Sequence, residues 1–169
     1  MASWDFSCTG NIAQETKAKM NLAIYGVFGY IYENAQKHQV LKEAVRIASQ
    51  SGKPLLNAGC GCYFWAAINQ ADVNLDVVPR NVPGFVLASI EEIPFPDKYF
   101  GAVFCSHVLE HVDDWRKADN ELHRVSDNVF IITPSPLWVA NWLHPDHKRY
   151  FIGNKVYEKI NGKWNVSDI

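Results

Sequence analysis

The sequence has little of several features that would assign it to a specialised class of protein. It has only four cysteines in 169 residues, Cys8, Cys60, Cys62 and Cys105, and none of them forms a C-x-x-C pair. Neither a disulfide framework nor a cysteine-based zinc site is therefore expected. The chain does not open with a charged segment followed by an apolar one, so no secretory signal is predicted. We expect reduced thiols in a cytoplasmic protein.

An excess of charge of one sign and a long apolar run are also lacking. Sixteen Lys and Arg residues stand against eighteen Asp and Glu residues, a formal net charge of -2. No broad basic surface for a nucleic acid is expected from this balance. The longest uncharged run, Met20 to Tyr32, has 13 residues, well short of the roughly 20 that a membrane-spanning helix needs. With 48% hydrophobic residues, the chain predicts a single folded domain over residues 1–169.

Apolar periodicity divides this domain into an N-terminal arm (residues 1–36), a core (37–151) and a short C-terminal element (152–169). The arm is expected to be helical or irregular and to pack on the core, with a membrane surface as the alternative. In the core, an amphipathic helix after His38 and another from Trp115 to Val125 separate short apolar segments. Five such segments are predicted strands, at residues 55–58, 73–76, 85–88, 102–105 and 129–133.

Apolar strands without alternation, separated by helices, are typical of a parallel sheet that is covered on both faces. We therefore predict an α/β fold with a mostly parallel sheet. Between Asp76 and Ser89 only an extended loop fits, rather than a helix. Ligands of such sheets bind beyond the carboxyl ends of the strands, so the residues directly after each strand form the candidate site.

Two glycines and an acid stand at these strand ends. Gly59 and Gly61 allow a ligand to approach bare backbone closely. Asp76 closes the next strand, where a carboxylate can accept both hydroxyls of a ribose. Phe64 holds the place of the third glycine of a dinucleotide-binding motif, so a nucleoside without a pyrophosphate is favoured over NAD. The alternative interpretation is a strand turn with an exposed aspartate.

Four motifs follow one another in the core, at Leu55–Gly61, Asn74–Asp76, Glu91–Phe100 and Ser106–Val112. Their ordered succession resembles a class I S-adenosylmethionine-dependent methyltransferase of the small-molecule subgroup, from Pro54 to about Phe151. The resemblance implies a three-layer Rossmann-like sandwich, reduced after strand five. It also implies S-adenosylmethionine as cofactor, S-adenosylhomocysteine as product and a small-molecule methyl acceptor. By the resemblance, the cofactor-binding residues are Asn57, Gly59, Cys60, Gly61, Asp76, Val77, Ser89, Ile90, Glu91 and Ser106.

The chain departs from the family pattern at four positions. Asn57 and Ser89 replace acids, Tyr63 replaces a glycine and Gly101 replaces an aspartate. The loss of charge-assisted hydrogen bonds is expected to weaken the affinity for the cofactor. A non-catalytic methyltransferase-like module that acts through protein contacts is therefore the alternative function.

His107 and His111 follow strand four and are the candidate catalytic residues. A histidine that titrates near neutrality can take a proton from a hydroxyl acceptor, although methyl transfer depends mainly on alignment. Two sets of side chains have the types that bind metals, and we expect neither to form a metal site. The first set, with the H-x-x-E-H spacing of some zinc peptidases, consists of His107, Glu110 and His111. The second set lies in a loop after strand five and consists of His144, Asp146 and His147.

The C-terminal residues are compatible with two structures. We expect a helix over Asn154 to Ile160, followed by a stub of a sixth strand at Lys163 to Val166, as the resemblance implies. Asn161-Gly162 between two strand-like segments is also typical of a type I′ hairpin. In either case the sheet edge beside strand five lacks full cover. We expect the N-terminal arm, Trp138 and Trp142, or a second copy of the chain in a homodimer, to cover that edge.

Overall fold

The structure is a computed structural model, and it describes residues 33–62, 64–135 and 144–169. The arm up to residue 32, Tyr63, Trp138 and Trp142 lie outside the described residues. Our expectations for these residues, and for the cover of the sheet edge, therefore stay predictions.

The described residues form three helices and eight strands. Helix α1 covers residues 33–51. The other elements are β1 (Leu55–Ala58), α2 (Trp65–Gln70), β2 (Val73–Asp76), β3 (Phe85–Leu87), β4 (Ala102–Ser106), α3 (Trp115–Val125), β5 (Val129–Ile132), β6 (Arg149–Ile152), β7 (Lys155–Ile160) and β8 (Lys163–Asp168). Across the described ranges, no helix has the length and apolar character needed to cross a membrane.

Strands β1 to β5 form one parallel sheet in the order β3-β2-β1-β4-β5. All four residues of β1 are buried because helices cover both faces of the sheet. On one face Leu56 packs in a cluster with Leu122 of α3, and on the other Leu55 packs in a cluster with Leu41 of α1. The predicted three-layer α/β fold is confirmed, as is the absence of a helix between β2 and β3. From β1 the chain proceeds outward to β2 and β3, and it then returns to β4 on the other side of β1 and proceeds to β5. Sheets of this type bind ligands where the direction changes, which is between β1 and β4.

Strands β6, β7 and β8 form a separate antiparallel sheet. The predicted helix over Asn154 to Ile160 is wrong, and the hairpin alternative is correct. Residues Lys163 to Val166 belong to β8, which pairs with β7 and does not extend the parallel sheet. Asn161 and Gly162 both have positive φ, 51° and 76°. A type I′ turn needs this at both central positions, and Asn and Gly adopt it at little cost.

Arg149 of β6 joins the antiparallel sheet to the loop between β4 and α3. Its side chain is 2% exposed. Nη1 donates to the carbonyl oxygens of Leu109 and Val112, at 2.7 Å each, and Nη2 donates to that of Asp113 at 3.0 Å. Nε donates to Oε1 of Glu158 at 2.9 Å. A buried guanidinium is tolerated here because an ion-pair partner and three carbonyl acceptors surround it.

Candidate functional site

A cavity of about 280 Å³ lies at the carboxyl ends of β1, β2 and β3, where the fold predicts a ligand site. This volume is close to the lower end, roughly 300 Å³, for pockets that bind small molecules, so it suits a nucleoside-sized body. Its lining residues come from the end of β2, from the loops that follow β1 to β4 and from the loop before β6: Gly59, Leu75, Asp76, Val77, Ala88, Ser89, Ile90, Glu91, Val108, His111, Val112, Asp113 and Lys148.

A second cavity, of about 410 Å³, lies at the opposite end of β1 beside Lys53 and Asp72. It is the larger of the two, but parallel sheets bind ligands at the carboxyl ends of their strands. The smaller cavity is therefore the candidate site.

The loop after β1 brings bare backbone to the candidate cavity at Gly59. This residue has a φ of +68°, and a Cβ added to it would overlap the side chain of Val108. Only glycine meets both conditions at low cost. The next two residues, Cys60 and Gly61, are not among those that line the cavity. Both Gly59 and Cys60 donate their N–H groups to the carbonyl oxygen of Leu75, at 2.8 and 2.9 Å.

Asp76 fixes the rim of the cavity from the end of β2. Its carboxylate oxygens accept the N–H groups of Gly61 and Val78, both at 2.8 Å, and Arg80 Nε lies 3.9 Å away. A carboxylate has about four lone-pair sites, so acceptor capacity remains for ribose hydroxyls. The two residues that follow are both exposed valines, but only Val77 lines the cavity.

Ser89, Ile90 and Glu91, in the loop after β3, also line the cavity. Ser89 Oγ accepts the N–H of Glu91 at 3.1 Å, which holds the turn. Glu91 Oε1 in turn accepts the N–H groups of Asp113 and Asp114, at 2.8 and 3.1 Å. Glu91 therefore joins the loop after β3 to the start of α3. The sequence does not predict this role, because no local pattern links residues that are 22 and 23 positions apart.

Asn57 and Ser106 are two further predicted cofactor residues that do not line the cavity. Asn57 is 3% exposed, and its Nδ2 donates to Asn74 Oδ1 at 2.8 Å. Asn74 in turn donates to the carbonyl oxygens of Ile68 and Pro83. The buried amide of Asn57 thus links β1 to β2, and the half-buried Ser106 ends β4.

Gly101, where the family pattern has an aspartate, directly precedes β4. A Cβ at this position would overlap Ser51 Oγ and lie 2.9 Å from Ala48 Cα. The close approach of α1 to the sheet leaves no room for any side chain. This departure from the family pattern therefore has a packing reason that is independent of the cofactor.

The two candidate catalytic histidines lie in the loop after β4 but have different surroundings. His107 Nε2 is 2.9 Å from Glu33 Oε1 of α1, and the residue is not among those that line the cavity. His111 does line the cavity, and its Nδ1 lies 3.2 Å from the carbonyl oxygen of Asp146. Burial lowers the pKa of both imidazoles below the usual value of 6.5, which favours their neutral forms at neutral pH.

Glu110, between these histidines in the sequence, is fully buried. Neither of its carboxyl oxygens has a hydrogen-bond partner among the described residues. Oε1 lies 3.8 Å from His107 Nδ1 and 3.8 Å from His111 Nε2. Burial raises the pKa of Glu110 to about 8, so most of the carboxyl is protonated at pH 7. Buried titratable groups with shifted pKa values are typical of functional sites.

Three histidines come together at the rim of the cavity and form what we call the trihistidine cluster: His111, His144 and His147. One ring nitrogen of each lies within 4.8 Å of the other two. The rings of His144 and His147 stack with centroids 4.4 Å apart. The sequence analysis assigned these residues to two separate sets and expected no metal site. The structure combines one histidine of the first set with two of the second, because the loop before β6 lies against the loop after β4.

Comparison with known proteins identifies a similar domain. Residues 56–128 match the family model described as a methyltransferase domain. All the residues that line the cavity except Lys148 lie in this range. The matched segment is less than half of the chain, so the match shows a similarity to a methyltransferase domain in this part of the chain. It does not favour the non-catalytic alternative.

An uncharacterized protein of Methanocaldococcus jannaschii is 34% identical to the chain over 89 residues. The aligned part is 47% of this chain and 39% of that protein, so the match spans about two fifths of the relative's length.

Two solved structures have similar regions. The YcgJ protein of Bacillus subtilis is 24% identical, with a TM-score of 0.40 over 53% of this chain and 46% of that one. An S-adenosylmethionine-dependent methyltransferase from Thermotoga maritima is 16% identical, with a TM-score of 0.41 over 63% of this chain and 60% of that one. Likenesses at this level carry no conclusion about the activity.

Proposed function

We propose that this protein transfers a methyl group from S-adenosylmethionine to a small-molecule acceptor. The observation that carries the proposal is that the 280 Å³ cavity is lined almost entirely by residues of the segment that matches a methyltransferase domain. The net charge of -2 supports a small acceptor over a nucleic acid, since no excess of basic residues is available to bind phosphates.

The residues around the cavity fit the nucleoside part of this cofactor. Asp76 has acceptor capacity left for ribose hydroxyls, and the backbone of Gly59 is open to a close approach. Val77 and Ile90 offer apolar surface for the adenine ring, with the Ser89 hydroxyl beside them. S-adenosylmethionine, when bound, would supply an electrophilic methyl carbon attached to a positively charged sulfur.

The protein's part in the transfer is to align the reactants and to exclude water. The cofactor would supply the methyl group and keep the electron pair of its carbon–sulfur bond, and a proton lost by the acceptor would pass to solvent or to a basic side chain at the cavity. Alignment of this kind can supply about 7–11 kcal/mol of the barrier reduction, so a catalytic base is not required. The catalytic roles of His107 and His111 remain predictions, and of the two only His111 lines the cavity.

Calorimetric titration with S-adenosylmethionine and S-adenosylhomocysteine tests the proposal. We expect micromolar binding by the wild type. Val77→Asp adds a charge to the cavity wall and should weaken binding more than tenfold, about 1.4 kcal/mol. Val78→Asp is the matched control, because this neighbouring exposed valine does not line the cavity. Its affinity should equal that of the wild type.

Asp76→Asn tests the ribose contact more cleanly than Asp76→Ala. The alanine variant would also release the N–H groups of Gly61 and Val78, whereas the asparagine keeps one side-chain acceptor. We expect Asp76→Asn to weaken binding and to lower the melting temperature less than Asp76→Ala does, because only one of the two N–H groups loses its acceptor. No heat with either ligand at millimolar concentration, in a folded wild-type protein, would refute the proposal. Equal weakening by both valine variants would refute this location of the site.

A further inference from the structure

Three imidazole rings from two distant parts of the chain meet in the trihistidine cluster. His111 lies in the loop between β4 and α3, and His144 and His147 lie in the loop before β6. Three imidazole nitrogens form a ligand set that suits Zn²⁺, Ni²⁺, Co²⁺ and Cu²⁺ rather than Mg²⁺ or Ca²⁺. We propose that the trihistidine cluster binds one divalent transition-metal ion of this type, with Zn²⁺ as the reference case.

The spacing of the donor atoms requires only a small contraction. Tetrahedral Zn²⁺ with zinc–nitrogen bonds of about 2.0–2.1 Å places its ligand nitrogens about 3.4 Å apart. The nitrogens of the cluster lie within 4.8 Å of one another, so binding draws them together by up to about 1.4 Å. All three rings are half-buried and stand in loops. Rotation of the side chains can supply this movement without a shift of the strands.

A backbone contact prepares His111 to act as a ligand. Its Nδ1 lies 3.2 Å from the carbonyl oxygen of Asp146. A carbonyl oxygen only accepts, so Nδ1 carries the proton and Nε2 keeps its lone pair for the metal. Metal-binding histidines usually have their other nitrogen held in this way.

Glu110 is a second, independent observation at the same place. Its carboxyl is fully buried, has no hydrogen-bond partner among the described residues and lies 3.8 Å from His111 Nε2. Buried carboxyl groups are nearly always hydrogen-bonded or paired with a charge. A cation held by His111 Nε2 would place a positive charge beside this buried carboxyl.

The two loops are already fixed against each other. The N–H of Lys148 donates to the carbonyl oxygen of Glu110 at 2.9 Å, and Arg149 donates to three carbonyl oxygens of the loop after β4. Three protein ligands leave at least one coordination position open. Because His111 also lines the cavity, the ion lies at the cavity rim, and His111 then acts as a ligand rather than as a base.

Calorimetric titration of tag-free protein with Zn²⁺ and Ni²⁺ tests this proposal, together with visible absorption of the Co²⁺ complex. We expect one ion per chain. His144→Ala and His147→Ala should each lower the affinity at least tenfold, and the double variant should abolish saturable binding. His123→Ala is the matched control, because this exposed histidine of α3 lies outside the cluster. It should bind like the wild type.

The metal titration tests this proposal separately from the proposed methyl transfer, since no nucleoside is present in the titration. Equal melting temperatures without metal would show that the variants are folded, and His144→Gln provides a milder change if His144→Ala is not. No saturable binding by the wild type would overturn the proposal. Binding that the double variant retains, or a sulfur-to-cobalt charge-transfer band, would overturn it as well, because the ion would then be held elsewhere or by cysteines.

Discussion

Replacement of Arg149 by alanine should destabilise the protein more than any other arginine substitution among the described residues. Arg149 is 2% exposed and donates to the carbonyl oxygens of Leu109, Val112 and Asp113 and to the carboxylate of Glu158. These contacts hold β6 and β7 against the loop that carries His111. Arg149→Ala removes all of them together and leaves their acceptors without a donor.

The expected loss follows from the burial of the Arg149 guanidinium, since its partner Glu158 is 28% exposed. A hydrogen bond to a charged group is worth about 1.5–3 kcal/mol, so the joint loss of the carbonyl and carboxylate contacts should cost about 3–5 kcal/mol. A typical domain has only about 5–15 kcal/mol of stability, so the change is a large part of the total. For a domain of this size, one kcal/mol corresponds to roughly 2–4 °C in melting temperature. Arg149→Ala should therefore melt about 6–20 °C below the wild type.

Urea unfolding followed by tryptophan fluorescence, together with thermal melting, measures this effect. Glu158→Gln keeps a side-chain oxygen as acceptor and should lose less stability than Arg149→Ala. Arg46→Ala is the control, because Arg46 lies on the surface of α1 and, within the part of the chain that the structure describes, pairs with Glu43 and Gln50. Its melting temperature should not change. A loss below about 1 kcal/mol for Arg149→Ala would contradict the assignment of Arg149 as the main link between the antiparallel sheet and the loop after β4.

Three further predictions concern local features. Gly59→Ala places a side chain on a left-handed backbone where it overlaps a neighbour, so it should lower the free energy of unfolding by about 2–4 kcal/mol. The alanine of Gly61→Ala meets open space, so this variant should lose only about 1–2 kcal/mol. Equal losses for the two variants in urea unfolding would contradict this prediction. Asp114→Ala removes the N-cap of α3 and should cost about 1 kcal/mol in the same assay. The hydrogen bond from Arg124 holds the pKa of Glu121 below 4.5. The wild type should therefore be more stable than Glu121→Gln by its full margin above pH 4.5, and this margin should disappear as the pH falls through the lowered pKa. A pH-independent difference would contradict the last prediction.

The parallel sheet was predictable because its strands are short and buried on both faces. Each therefore appears in the sequence as a continuous apolar segment, such as Leu55–Ala58, with helices or turns between the segments. The positions of Gly59 and Asp76 at strand ends followed from the same segmentation. The hydrogen bond from the Gly61 N–H to the Asp76 carboxylate could not be predicted in this way, since it depends on how two separate strands pair.

The C-terminal element shows where local patterns are insufficient. Residues 154–160 are compatible with a helix or a strand when taken alone. The Asn161-Gly162 turn and the pairing of β7 with both β6 and β8 decide for the strand. A strand that pairs on both sides is stabilised by its two neighbours, whereas a short isolated helix is only marginally stable.

The fold class, the order of the strands along the chain and the residues at the carboxyl ends of the sheet could be predicted from local patterns. These patterns are apolar periodicity and the positions of glycine and proline, which act over a few residues. The contact of Arg149 with Leu109, 40 residues earlier, and the meeting of His111 with His144 and His147 are seen in the folded protein alone. Such contacts join residues that no local pattern relates, because they form only when the packing of buried surfaces brings distant segments together.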